Sequence, residues 1–205
     1  MADRFASLPD RRAIIDRRAI GDVLEELGRS DRNAAQKRAT LAVLLKDALR
    51  DGRAEIARRL AEHHSRGREA TSAQAFLVDQ IIRLLHDFTV DYLYPSGNRS
   101  SGERLTLIAV GGCGRGEMAP HSDIDIGFLT PFKQTAWVEQ VIESMLYTLW
   151  DLGLKVGHSS RSLDEMVRMA KGDLTIRTAL LESRYIWGDR ALYEEATARF
   201  LAEVV

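Results

Sequence analysis

The chain has one cysteine, four prolines and almost no net charge, and each scarcity excludes something. A single cysteine rules out an intramolecular disulfide and fits a reducing compartment. With 29 basic against 30 acidic residues the net charge is −1, so no overall basic field argues for nucleic acid. No apolar run approaches the roughly 20 residues needed to cross a membrane. The amino terminus, MADRFASLPDRRAII, lacks the apolar core of a secretory signal. Aromatic residues make up only 7%, and Trp137, Trp150 and Trp187 are expected to pack the core rather than form a base-stacking platform. What remains is a cytoplasmic, enzyme-like composition: 205 residues, 45% hydrophobic and 29% charged, enough for one or two globular domains.

Proline is missing from Asp10 to Tyr94, and that stretch reads as helical. Ile14, Ile15, Ile20, Val23, Leu24 and Leu27 fall on one stripe, with Gly28 as a stop. A second helix is expected from about Asn33 to His64, with Asp51-Gly52 as a break, and a third from about Thr71 to Leu93. The repeated arginines (Arg11, Arg12, Arg17, Arg18, Arg58, Arg59) read as solvated faces. Pro95 to Gly102 is the clearest loop. Beyond it the period changes: Arg104–Val110, Asp123–Leu129 and Leu154–Ser160 read as strands, with an amphipathic helix from about Thr135 to Leu152 between the last two. The rest returns to helical patterning, interrupted near Ser183–Gly188. The chain stops at Val205 inside a helix-like stretch, as a piece of something longer would.

The segment from Val110 to Leu129, VGGCGRGEMAPHSDIDIGFL, carries the chemistry. Asp123 and Asp125 alternate on a short apolar strand, so both carboxylates emerge on one side of the sheet. The glycines upstream let backbone approach a ligand closely. Paired hard oxygen ligands suit Mg²⁺, and a glycine-rich turn offers N–H groups to phosphate. The combination reads as a metal–nucleoside-triphosphate site.

The spacing also carries a family resemblance. Val110-Gly111-Gly112, a ten-residue gap from Cys113 to Ser122, then Asp123-Ile124-Asp125-Ile126 is similar to the signature of the DNA polymerase β nucleotidyltransferase superfamily. The longer string Gly-Gly-x-Gly-Arg-Gly-Glu-x-x-Pro-x-Ser-Asp-Ile-Asp resembles the nucleotidyltransferase domain of the bacterial PII uridylyltransferase/uridylyl-removing enzymes. The segment from Leu149 to Ser159, then Asp173-Leu174-Thr175, Glu182-Ser183-Arg184 and Gly188-Asp189, looks like the same family's downstream sequence. The resemblance implies an α/β (α+β) fold with a small mixed sheet. A helical region over 1–93 would precede a nucleotidyltransferase domain over 94–205. It further implies transfer of UMP from UTP to a tyrosine hydroxyl of the PII signalling protein, with Mg²⁺ or Mn²⁺ as cofactor and neither nucleic acid nor membrane as partner. The family continues into HD and ACT domains, so no uridylyl-removing activity and no response to glutamine are expected of these residues. The only His-Asp dipeptide, His86-Asp87, reads as helix surface.

Asp123 and Asp125 are thus the expected metal ligands and catalytic carboxylates. Gly111, Gly112, Gly114 and Gly116 are expected to form the phosphate loop, with Ser122 beside it. Arg115 is expected either to neutralise phosphate or to pair with Glu117. Cys113 reads as a small side chain that nothing activates. The superfamily usually supplies a third carboxylate from a later strand. LKVGHSS holds none; His158 lies where it would fall, while Asp151, Asp164, Asp173 and Glu182 are only nearby in sequence. A superfamily member acting on a small molecule and a non-catalytic fragment that binds nucleotide or PII are the alternatives.

Overall fold

The computed structural model describes residues 4–62, 66–96 and 100–205. The expected helix end at His64 and part of the loop before Gly102 lie outside these residues. The helical prefix begins with α1 (Arg11–Ile14) and α2 (Arg17–Arg29). The single stripe from Ile14 to Leu27 is therefore two helices. Asp16 separates them, its carboxylate accepting the N–H groups of Arg18 and Ala19 as an N-cap. Next, α3 (Ala34–Glu62) runs unbroken through Asp51-Gly52, contrary to the expected interruption. A Cβ on Gly52 would stand 2.6 Å from the Leu77 side chain and 2.7 Å from the Ile14 carbonyl. The glycine costs helix propensity of about 1 kcal/mol but lets α3 lie close against its neighbours.

α4 (Gly67–Phe88), continued by a π-helical turn over Thr89–Leu93, is buried nearly all round, as a central helix must be. His86 is buried too, with Nδ1 3.0 Å from Asp87, and Asp87 accepts the indole N–H of Trp187. The His-Asp pair is therefore not the helix surface expected of it.

The sheet contains β1 (Thr106–Ala109), β2 (Ile124–Thr130), β3 (Val156–Ser162) and β4 (Arg184–Gly188), in the order β3-β2-β1-β4. Between β1 and β2 lies the short helix α5 (Gly111–Arg115). β1 is antiparallel to both neighbours, and β2 and β3 are parallel, joined by α6 (Ala136–Asp151) as crossover helix. The interruption near Ser183–Gly188 is thus the fourth strand. Short, with arginine at its start and half-buried tyrosine and tryptophan, it has little hydrophobic pattern to announce it. α7 (Leu163–Gly172), α8 (Leu174–Leu181) and α9 (Arg190–Glu203) complete the described chain.

Alternation along the strands divides the core. Ile124, Ile126 and Phe128 join a large cluster containing Leu77, Ile81 and Leu85 of α4 and Met145 and Leu149 of α6. Ile108 and Leu129 turn to the other face and join a smaller cluster with Leu163, Met166, Leu192 and Phe200. The larger cluster runs from Phe5 to Ile186, so prefix and sheet are built around shared buried side chains. Trp150, by contrast with the expectation of a core residue, is 44% exposed.

Candidate active site

β2 alternates as its pattern requires: Ile124 and Ile126 are buried, while Asp123, just before the strand, and Asp125 are exposed. Both carboxylates therefore leave the sheet on one face. Asp125 lies in a slot between two glycines. A Cβ on Gly111 would come within 3.4 Å of its Oδ2, and a Cβ on Gly157 within 2.6 Å of its Oδ1. Gly157 pairs with Asp125 in the parallel β2–β3 register, so the two residues share a face. This role of Gly157 is invisible in the sequence, where it reads only as a glycine inside a strand. Such a glycine is a recognised sign of close approach.

The glycine segment enters from β1. The Val110 N–H donates to the Asp125 carbonyl at 3.1 Å, locking the turn to the aspartate strand. α5 then begins at Gly111, whose φ of +58° favours glycine. The first N–H groups of a helical turn have no acceptor within it, and Gly111 and Gly112 are the first two residues of this one. The other two glycines have different work. The Gly114 and Gly116 N–H groups donate to Val110 and Cys113 carbonyls. A Cβ on Gly114 would stand 2.2 Å from the Glu182 carbonyl, and Gly116, at φ +72°, ends the helix against Arg4 and Phe5. Gly111 thus borders Asp125, whereas Gly112, like Gly114 and Gly116, is closely backed: a Cβ on it would stand 3.2 Å from the Glu117 carbonyl.

Arg115 Nη1 donates to Glu182 at 2.7 Å, and its side chain is half exposed. Glu117, the partner weighed from the sequence, is instead 3.4 Å from Arg68. Ser122 is exposed in the turn before Asp123, and its N–H donates to Ala119. The turn places His121 at φ +64°, a conformation uncommon for a residue with a side chain. Burial raises the Cys113 thiol above its ordinary pKa, which keeps it protonated and unreactive.

The candidates for a third acid are engaged elsewhere. Asp164 pairs with Arg199 at 2.7 Å, Asp173 caps α8 by accepting from Thr175 and Ile176, and Glu182 holds Arg115. Asp151 ends α6. His158 pairs in register with Ile126, not Asp125, and so points to the opposite face, where its ring centroid lies 6.3 Å from that of Trp150. On the aspartate face β3 presents Gly157, Ser159 and Arg161. Among the described residues no three His, Cys, Asp or Glu side chains are grouped to hold a metal. Two exposed carboxylates nonetheless fit Mg²⁺, which keeps several waters and completes its shell with substrate phosphate. The glycines at 111 and 157 leave both oxygens of the Asp125 carboxylate free of a neighbouring Cβ.

Beside Asp125 a cavity of about 310 Å³ opens between the sheet and α7–α8, lined by Gly157, Ser159, Arg161, Met166, Thr175 and Ile176 among others. A mostly apolar lining with a few polar groups is the usual make-up of a small-ligand site.

The DUF294 nucleotidyltransferase family matches residues 52–164, just over half of the chain. The bifunctional uridylyltransferase/uridylyl-removing enzyme of Novosphingobium aromaticivorans is 60% identical over 200 residues, covering 97% of this chain and 22% of the relative. Its counterparts from Rhodospirillum rubrum and Azospirillum brasilense are 55% and 48% identical, each covered over 21% of its length. The chain thus spans about a fifth of the curated relatives it matches.

Proposed function

From the premise that the chain belongs to the DUF294 nucleotidyltransferase family, we propose that the aspartate face of the sheet transfers UMP from UTP to a protein hydroxyl. The carrying observation is the pair of exposed carboxylates, Asp123 and Asp125, with Gly111 of the glycine turn beside Asp125. Uridine rests on the names of the relatives. The acceptor, a tyrosine of the PII protein, rests on the resemblance described above, which also implies a cytoplasmic setting; no helix among the described residues is long and apolar enough to cross a membrane.

In this reading Asp123 and Asp125 hold Mg²⁺, or Mn²⁺, which when bound supplies charge neutralisation at the phosphates. Gly111 and Gly112 receive phosphate oxygens through their N–H groups. Arg115, its guanidinium partly satisfied by Glu182, adds positive charge at the edge of the turn. Ser122 lies within the same exposed turn as Asp123 and contributes a hydroxyl there. The acceptor oxygen forms its bond to the α-phosphorus as the bond to the bridging oxygen breaks. Pyrophosphate leaves, and the hydroxyl proton passes to water at the exposed face. Rate comes from holding the two reactants in line within preorganised charge.

The test is turnover of labelled UTP with PII as acceptor. Asp123→Asn and Asp125→Asn are expected to keep the circular dichroism of the parent, because both side chains are exposed, and to lower transfer by about a thousandfold. Near-parental transfer by either folded variant removes the metal assignment.

A further inference from the structure

Glu182-Ser183-Arg184 contacts three consecutive residues of the glycine turn, Cys113, Gly114 and Arg115. Arg184 Nη2 donates to the Cys113 carbonyl at 2.9 Å. The Glu182 carbonyl is the atom that Gly114 leaves room for, and the Glu182 carboxylate takes Arg115. Arg184 is itself fixed by Asp79 of α4, which accepts Nη1 through Oδ2 and Nη2 through Oδ1, the latter at 3.1 Å. Both residues are buried, at 8% and 2% exposure. The Arg184 guanidinium also lies over the Phe5 ring at 5.0 Å.

We propose that Arg184, oriented by Asp79, is a positioning residue that sets the Gly111–Gly112 backbone for triphosphate. A buried ion pair recovers its desolvation cost only with good geometry, and apolar residues of similar volume often stabilise a fold as well. Stability alone therefore does not call for arginine here. What an apolar pair cannot do is donate to the Cys113 carbonyl while Asp79 fixes the direction of the donor. That hydrogen bond determines the tilt of the Cys113 peptide, one residue beyond Gly111–Gly112. The turn is joined to the carboxylates at its other end through Val110 and Asp125, so both ends are tied. A tied turn presents its N–H groups already in place and loses less freedom on binding.

This inference rests on the triphosphate reading, and its test separates the two. Mg²⁺–UTP affinity, KM for UTP in transfer, and thermal melting are measured for the full 205-residue chain. The variants are Arg184→Lys and the double variant Asp79→Leu/Arg184→Met. The double variant removes the pair without stranding a buried charge; lysine keeps a charge against Asp79 but loses the fork. The double variant is expected to melt cooperatively and to bind Mg²⁺–UTP about tenfold more weakly, with KM rising more than kcat falls. Arg184→Lys is expected to fall between it and the parent. Affinity and KM within twofold of the parent in folded variants overturn the positioning role and leave the proposed function standing. Failure of both variants to melt cooperatively assigns the pair to overall stability and also overturns it. If the parent chain binds no Mg²⁺–UTP, the triphosphate reading falls and this inference with it.

Discussion

Replacing Gly157 by alanine isolates the geometry of one carboxylate. The new Cβ would sit 2.6 Å from Asp125 Oδ1, where 3.4 Å is ordinary contact. The carboxylate must withdraw by about 0.8 Å, beyond the roughly 0.5 Å that a catalytic group tolerates. Backbone strain does not arise, because Gly157 is not among the residues with positive φ. Nor does the fold suffer, since the displaced atom is the end of an exposed side chain. Alanine in a strand even recovers about 0.5 kcal/mol of conformational entropy. Misplacement near 1 Å costs about a hundredfold in rate, equivalent to about 2.7 kcal/mol of transition-state stabilisation. Gly157→Ala is therefore expected to reduce kcat/KM for uridylyl transfer by about 30- to 100-fold, with Tm within a few degrees of the parent. Mn²⁺ affinity, followed by electron paramagnetic resonance, should fall as well and requires no acceptor. Gly172→Ala is the control, because its Cβ meets nothing within 4 Å. Activity within threefold of the parent for folded Gly157→Ala would refute the slot around Asp125.

The glycine turn yields a contrast. Gly112→Val, whose Cβ stands 3.2 Å from the Glu117 carbonyl, is expected to weaken UTP binding far more than it lowers Tm. Gly114→Ala drives a Cβ to 2.2 Å from backbone oxygen and should lower both; calorimetry beside nucleotide titration distinguishes them. The acid limb of stability should depend on Asp189, which caps α9 and whose pKa is lowered chiefly by its hydrogen bond from Arg104. A carboxylate with a depressed folded pKa stabilises above its unfolded value of about 3.9, and that contribution is lost as pH falls through the folded value. Asp189→Asn should thus flatten the decline of Tm between about pH 5 and pH 3; an unchanged slope would disprove the coupling.

The parts legible in the sequence are those where local pattern and burial agree. The period of α6, the apolar runs of β1 and β2 and the Asp-x-Asp alternation all appear close to where the residues suggest them. The parts that escaped depend on contacts far apart along the chain. Gly52 reads as a helix breaker until Leu77 and Ile14 are seen against it. Arg115 has Glu117 two residues away, yet its partner is Glu182, 67 residues on. β4 is a strand chiefly because β1 offers it an edge. His158 occupies the right segment for a third acid, but the register with Ile126 turns it to the wrong face.

The separation between Arg184 and Cys113 also has a meaning in time. Arg184, the side chain that steadies the turn, comes seventy-one positions after Cys113. At about 5–20 residues per second, a ribosome that has just made the glycines needs roughly 4–14 s more to supply Arg184. Until then Asp79, already synthesised, lacks the Arg184 guanidinium. An emerging chain therefore carries Asp123, Asp125 and the glycine turn, the proposed metal and phosphate ligands, well before Arg184 can steady that turn. Nucleotide present during synthesis would meet an unset site, and competence would arrive in one step as β4 joins the edge of β1.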